Sequence, residues 1–368
     1  MIPASVLVAR RGDVEEAEAL LRCLSPDRFA KLVISDYYVP SRAIYLSRYK
    51  LGRVRELVKE IGAERLYIYD DLRPSQVTNL MRELRINVVD KIGLILEIFA
   101  LHAGSKEAKL QIEMAEIRHR IPLIKEWIHR SKLGELPGFL GGGTYAIDKY
   151  YRHLTSRLAR LRRELERLRK RRAGERLRRQ RLGFPHVAIA GYTNAGKTTL
   201  FNRLTGERKP VSSEMFTTIS PKSSSVVLNG RKVIFVDTVG FIMKIPAEVI
   251  EAFHATLDEI TYSNISLLVV DSSERAERVE AKLLESLNIL KRIGFIGKPL
   301  IVAVNKVDLT DDMGYGSAQL ARDVLSTTSL WEWSVVRVSA RTGYGIGDLL
   351  DEISRRLPEK GVRAKTGA

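Results

Sequence analysis

Eight consecutive residues constrain this chain more than any others: Gly191-Tyr192-Thr193-Asn194-Ala195-Gly196-Lys197-Thr198, with Thr199 next in line. They follow an apolar run, His186 to Ala190, and open a stretch of helical character. A loop of this spelling works only between a strand and a helix. Gly191 and Gly196 let the backbone come close enough for its N–H groups to cradle a phosphate, and the dipole of the following helix favours the negative charge. Lys197 is placed to neutralise β- and γ-oxygens of a nucleotide, and the Thr198 hydroxyl to ligate Mg²⁺. Tyr192, Thr193, Asn194, Ala195 and Thr199 complete the expected nucleotide contacts of this loop.

The same loop predicts the sheet around it. Six strand candidates follow in order: His186 to Ala190, Val226 to Leu228, Lys232 to Val236, Leu267 to Val270, Leu300 to Val304 and Val335 to Val338. Helical segments lie between most of them, and only the second and third adjoin, through Asn229-Gly230, a hairpin signal. A Ras-like, mostly parallel six-stranded sheet over residues 183–358 is expected, with a tail at 359–368.

Phosphate binding does not choose a base, but Asn305-Lys306-Val307-Asp308 at the end of the fifth strand does. A carboxylate at Asp308 accepts from both N1–H and the 2-amino group of guanine, a pair that adenine does not offer. Asn305 is expected to tie the base pocket to the phosphate loop, and the Lys306 stem to cover the ring. Ser339-Ala340-Arg341 follows the sixth strand and is expected to offer the Ala340 N–H to the guanine O6. In Asp237-Thr238-Val239-Gly240, Asp237 is expected to hold Mg²⁺ through water and the Gly240 N–H to sense the γ-phosphate. Thr218 is the candidate for a second Mg²⁺-ligating hydroxyl released when that phosphate leaves, with Thr217 as its alternative. Lys197, Thr218 and Gly240 are therefore the catalytic candidates, and GTP and GDP the expected ligands.

Two positions admit two readings each. Phe241 stands where Ras-like enzymes place a water-orienting Gln. Either it only packs under the switch, or catalysis uses another group or one that a partner supplies, giving slow intrinsic turnover that the partner raises. Asn194 fits a K⁺ ligand or a residue that shapes the loop through an unusual backbone angle. Comparing hydrolysis in K⁺ and Na⁺ separates those two.

The N-terminal half is organised differently. Over residues 1–104, short aliphatic runs (Ser5 to Ala9, Lys31 to Ile34, Ala43 to Leu46, Arg65 to Tyr69) alternate with helical stretches (Glu15 to Cys23, Val54 to Ile61), which predicts a small α/β subdomain with a largely parallel sheet. Residues 105–182 change period. Leu110, Met114, Ile117, Ile121, Ile124 and Ile128 share one helix face, with Pro122 expected to kink it. After a glycine-rich loop, Tyr151, Leu154, Leu158, Leu161, Leu165 and Leu168 share another, so an antiparallel helical hairpin of coiled-coil type is expected.

Charge concentrates on its second arm. Between Arg152 and Arg181 fourteen Lys and Arg face three acids, which is +11 of the chain's +17. A polyanion is the expected counterpart, with Arg152, Arg157, Arg160, Arg163, Arg167, Arg171 and Arg178 as its candidate contacts. No tyrosine, tryptophan or phenylalanine interleaves with these arginines, so phosphate and shape reading of structured RNA is expected, with a steep salt dependence. The one cysteine, Cys23, excludes an internal disulfide and a cysteine-rich zinc site. No apolar stretch reaches the length of a membrane span, and a cytoplasmic location is expected. The six histidines lack metal-ligand spacing.

These strings resemble the translation-factor-like GTPases, and their local spelling is similar to the HflX family of ribosome-associated GTPases. The likeness rests on Gly191 to Asn202 and Asp237 to Ile242. It rests independently on Asp71-Leu72-Arg73-Pro74-Ser75-Gln76 with Asn79-Leu80, on Gly93 to Ala100 and on Ala108 to Glu113. Family members usually carry an Arg-Gly-Pro-Gly-Glu-like string at the hairpin tip, where this chain has Gly141-Gly142-Gly143-Thr144-Tyr145-Ala146-Ile147. The resemblance implies a monomeric GTPase that binds the large ribosomal subunit and its rRNA, in ribosome recycling, splitting or rescue. A GTPase of ribosome assembly and a non-catalytic, nucleotide-gated RNA-binding module are the alternatives.

Overall fold

Strands with unbroken apolar runs lie at sheet centres, and those with alternating runs at edges, because a central parallel strand is covered on both faces. In the computed structural model the central strands Ser5–Arg10 and Ile265–Asp271 are buried almost throughout, and the edge strand Lys222–Leu228 alternates. The structure describes residues 4–24, 29–103, 105–133, 143–181, 184–207, 222–238, 240–241 and 254–358, with several side chains of 143–181 and 254–258 left out. The described chain falls into two compact units, with the division between Arg167 and Leu168.

The first unit contains a four-stranded, wholly parallel sheet in the order β2-β1-β3-β4. Its strands are β1 (Ser5–Arg10), β2 (Phe29–Ile34), β3 (Arg65–Ile68) and β4 (Asn87–Asp90). Helices α1 (Val14–Leu24), α2 (Arg48–Ile61), α3 (Pro74–Leu84) and α4 (Lys91–His102) connect and cover it. Val6, Val8, Ile34, Leu66, Ile68 and Leu80 share one core cluster. One expectation fails: Ala43 to Leu46 is not a strand. Ser41 and Tyr45 exchange backbone hydrogen bonds of 2.9 and 3.0 Å across a tight turn, and Tyr45 takes φ +70°. The Tyr45 hydroxyl donates to Asp70 Oδ2 at 2.7 Å, and this long-range bond helps hold a backbone angle that tyrosine alone disfavours.

The hairpin is built from α5 (Lys106–Lys132) and α6 (Gly143–Arg181). Lys106 pairs with Glu164 at 2.6 Å and Glu113 with Arg157 at 2.6 Å. Seven residues along α5 thus match seven back along α6, the register of an antiparallel pair. Leu110, Met114, Ile117 and Ile124 are buried on α5, and Leu154, Leu158, Leu161 and Leu165 on α6. Helix α5 runs uninterrupted through Pro122.

The second unit contains a six-stranded sheet in the order β10-β9-β8-β5-β7-β6. Its strands are β5 (His186–Gly191), β6 (Lys222–Leu228), β7 (Arg231–Asp237), β8 (Ile265–Asp271), β9 (Pro299–Asn305) and β10 (Glu332–Arg337). Only the β6–β7 pair is antiparallel, turned at Asn229 and Gly230, both with positive φ as a two-residue hairpin requires. Helices α7 (Lys197–Thr205), α8 (His254–Tyr262), α9 (Ala276–Arg292), α10 (Tyr315–Ser326) and α11 (Ile346–Arg356) complete it. This is the mixed α/β sheet expected. Among the described residues no helix is long and apolar enough to cross a membrane.

Candidate nucleotide-binding site

The phosphate loop joins the C-terminal end of β5 to the N-terminus of α7, as its chemistry demands. Gly191 takes φ +138°, and a Cβ there would sit 2.3 Å from the Val269 carbonyl oxygen. Gly196 takes φ +92°, and a Cβ there would sit 2.3 Å from Asn305 Nδ2. Both glycines are therefore required by close approach as well as by backbone angle. Asn194 also has positive φ, +63°, the loop-shaping member of its two readings.

Lys197 is 7% exposed and donates to the Tyr192 carbonyl at 2.5 Å. Burial pushes its ammonium down to about 8, and the nearby Asp237 carboxylate only partly opposes this. The site thus holds a desolvated cation short of negative charge, which a phosphate supplies. The Thr198 hydroxyl donates to Asp237 Oδ2 at 3.0 Å, bringing two hard oxygens together at the head of α7. Among the described residues no group of three or more His, Cys, Asp or Glu is arranged to hold a metal ion. A hydroxyl and one carboxylate suit Mg²⁺, which keeps several waters and takes further oxygens from substrate phosphates.

Gly240 lies against the phosphate loop: a Cβ there would meet Thr193 Cγ2 at 2.7 Å and Lys197 Nζ at 2.9 Å. Phe241 donates its N–H to Gly191 O and accepts from Thr193 N, both at 2.9 Å. Its ring is 2% exposed and stands edge-on to Tyr192, with centroids 6.4 Å apart. Packing is thus a demonstrated role of Phe241. Thr217 and Thr218 lie outside the described residues.

The base side is organised by one amide. Asn305, 2% exposed, donates from Nδ2 to the Ala195 carbonyl at 2.8 Å and accepts from Ala340 N at 2.9 Å. The first bond is the tie expected between base pocket and phosphate loop. The second differs from expectation: the Ala340 N–H is engaged by Asn305 rather than standing open to a guanine O6. Lys306, at φ +64°, pairs with Asp271 Oδ2 at 2.6 Å, which fixes its stem beside the pocket. Asp308 Oδ1 is buried without a hydrogen-bond partner. Ser339 is fully buried and its hydroxyl accepts from Thr342 N at 3.1 Å. The Thr199 side chain is half-buried in the first turn of α7.

One residue escaped the sequence reading. Arg203, near the end of α7, donates from Nε to Ala340 O at 3.1 Å and from Nη2 to Arg341 O. It clamps the loop after β10 onto the phosphate-loop helix. Its partners are main-chain carbonyls, so no side-chain pattern signals it. Arg203→Ala is expected to raise the KM for GTP about tenfold while leaving kcat unchanged, by loss of two charge-assisted bonds. Steady-state phosphate release over a range of GTP concentrations measures it, and a fall confined to kcat would refute it.

Comparison with known proteins now decides the family. Family models described as GTP-binding GTPase N-terminal, GTP-binding GTPase Middle Region and 50S ribosome-binding GTPase match residues 11–100, 102–179 and 186–306. A GTPase HflX of Hyperthermus butylicus is 46% identical over 361 residues, covering 96% of each chain. The chain belongs to the HflX family of GTPases. A Thermococcus kodakarensis GTPase HflX is 41% identical, covering 85% of this chain and 72% of that one. A solved GTP-binding protein of Sulfolobus solfataricus, in complex with GDP, matches with a TM-score of 0.53 and 32% identity over 96% of this chain and 98% of that one. As an HflX-family member this chain is a P-loop GTPase, with hydrolysis of GTP to GDP and phosphate as its expected activity.

The candidate RNA contacts are placed less uniformly. Arg152, Arg160, Arg163, Arg167 and Arg171 are exposed on α6. Arg157 instead makes a bidentate pair with Glu113, at 2.6 and 2.8 Å, so its guanidinium is committed within the hairpin. The Arg178 side chain lies outside the described residues.

Proposed function

We propose that this HflX-family chain is a GTP-driven switch that binds the large ribosomal subunit, through rRNA contacts of α6, in ribosome recycling, splitting or rescue. The observation that carries the ribosomal part is the run of exposed arginines on α6, among them Arg152, Arg160, Arg163 and Arg167. Such a row repels itself unless a polyanion lies against it. The match to a model described as a 50S ribosome-binding GTPase supports the choice of polyanion.

In this reading Gly191 to Thr199 hold the phosphates, with Lys197 on the β- and γ-oxygens. Asn305, Lys306, Asp308 and the Ser339 to Arg341 loop hold guanine. Thr198 and Asp237, with Thr218, hold Mg²⁺, which when bound neutralises charge developing on the phosphate oxygens. Gly240 reports the γ-phosphate through its N–H. With Phe241 packed against Tyr192, no side chain at that position orients the attacking water. Intrinsic hydrolysis is then expected to be slow and to rise when large subunits are added. Subunits that leave the rate unchanged would remove this part of the reading.

Co-sedimentation with purified subunits, with GDP or a non-hydrolysable GTP analogue, tests the whole. The chain is expected in the large-subunit pellet with the GTP analogue, and to leave it steeply between about 50 and 200 mM salt. Salt-independent pelleting would count against the α6 arginines. Preference for precursor over mature subunits would shift the role to assembly.

A further inference from the structure

The α6 arginines offer charge but no stacking surface, and the first unit supplies the missing kind of surface elsewhere. Three large apolar side chains stand almost fully in solvent within thirteen residues: Tyr37 at 94% and Val39 at 84% exposure on the β2–α2 connection, and Tyr49 at 84% in the first turn of α2. Scattered singly on a surface such residues need no explanation, but three within thirteen residues of chain do.

The connection that carries Tyr37 and Val39 and leads into Tyr49 is held by several hydrogen bonds. Arg10 donates to the carbonyls of Asp36 and Tyr38 at 2.7 and 3.2 Å. Gln76 and Asn79 of α3 donate to the carbonyls of Ser41 and Ala43, both at 2.7 Å. Tyr38 packs inward, donating to the Tyr45 carbonyl at 2.9 Å, while Lys50 Nζ lies 5.0 Å from the centre of its ring. The half-buried Tyr38 and Lys50 each have an exposed neighbour in sequence: Tyr37 beside Tyr38 and Tyr49 beside Lys50. A mount held in this way lowers the ordering cost of binding at an aromatic face.

The charge around these rings selects the occupant. From residue 36 to 55 there are five cations, Arg42, Arg48, Lys50, Arg53 and Arg55, against Asp36 alone. Asp36 is already used, accepting from Gly12 N at 2.8 Å, and Arg53 and Arg55 pair with Glu56 and Glu83. Arg42 and Arg48 remain exposed, each with no side-chain partner among the described residues. Exposed rings with uncommitted arginines close to them in sequence fit unpaired nucleotides, whose bases stack while their phosphates meet the cations. We propose that Tyr37 and Tyr49, with Arg42 and Arg48, form a stacking platform for single-stranded segments of RNA, separate from the phosphate-reading arm. The platform rests on the RNA-binding reading above and adds base stacking to it.

The full chain is titrated by fluorescence anisotropy against a twelve-residue oligouridylate and against a fully paired RNA duplex. The wild type is expected to bind both. Tyr37→Ala with Tyr49→Ala is expected to weaken the oligouridylate at least about tenfold and leave the duplex unchanged. Tyr37→Phe with Tyr49→Phe keeps the stacking faces and is expected to stay within about twofold. Arg42→Gln with Arg48→Gln is expected to reduce the log–log salt slope by about 1.4, at about 0.7 per phosphate contact. Basal GTP hydrolysis is expected to be equal in all variants, which reports that they fold. The proposal is overturned if the wild type ignores the oligouridylate, if the alanine variant binds it as the wild type does, if the duplex weakens equally, or if the phenylalanine variant behaves like the alanine one. An alanine variant that keeps the oligouridylate but leaves the large subunit identifies a protein-docking face instead. Sedimentation of the wild type stands apart: its failure removes the ribosomal reading without deciding the stacking result.

Discussion

Lys197→Ala is expected to weaken GTP and GDP binding about a hundredfold or more and to abolish measurable hydrolysis, while leaving the protein folded. The ammonium is buried, held to the Tyr192 carbonyl, and depressed to about 8 by its surroundings. A depression of that size corresponds to about 3 kcal/mol spent holding the charged form in the nucleotide-free protein. Nucleotide phosphates return that energy as a charge-assisted contact in a desolvated site, a gain that alanine forfeits. The same reasoning predicts that the variant is at least as heat-stable as the wild type without ligand. It should also lose the rise in Tm that GDP gives the wild type. Calorimetric titration with GDP and thermal unfolding with and without it check both halves. An alanine variant that binds GDP within a few-fold of wild type would show that Lys197 does not carry the phosphates.

Asp308→Asn is expected to lower the affinity for guanine nucleotides about a thousandfold and to improve binding of xanthine nucleotides. Asp308 Oδ1 is a buried acceptor with no hydrogen-bond partner in the protein. Guanine presents two donors side by side, N1–H and the 2-amino group, and a carboxylate accepts both. An asparagine accepts one and turns its own NH₂ on the other, leaving two donors opposed. Xanthine carries an oxo group at C2, which takes the asparagine donor and restores the pairing. The substitution replaces a charged group by a neutral one of the same size at a position whose Oδ1 has no hydrogen-bond partner in the protein, so the ligand-free protein is expected to keep its stability. Competition of GDP, XDP and ADP against a fluorescent nucleotide decides the matter, and a variant with the wild-type order of preference would place base recognition elsewhere.

The legible parts of this chain were those whose causes are local. The phosphate loop, the Asn305 to Asp308 string and the Asn229-Gly230 turn each state their requirement within a few residues, and all lie where the sheet needs them. The hairpin seam was legible because burial on both helices follows a helical period, and the two ion pairs then fix its register. The failures have distant causes. Ala43 to Leu46 has the composition of a strand, yet Tyr45 is held at φ +70° by Asp70, Gln76 and Asn79 acting on its turn from elsewhere. Strand β4 is only four residues long and ends in Asp90, too brief for a period to register. Arg203 reaches carbonyls 137 and 138 residues away, and Ala340 gives its N–H to Asn305 rather than to solvent. Arg157 reads in the sequence as one more arginine of a basic row, and its commitment depends on Glu113 of the facing helix.

The Asn305 amide has a consequence for how the two ends of a nucleotide are felt. Its donor side grips Ala195 and its acceptor side grips Ala340, so the cradle for phosphates and the wall for the base are two ends of one short splint. Disorder at either end strips a bond from the other. Guanosine alone and pyrophosphate alone should therefore each bind weakly yet each tighten the other, and cutting the splint should abolish that mutual help before it abolishes folding.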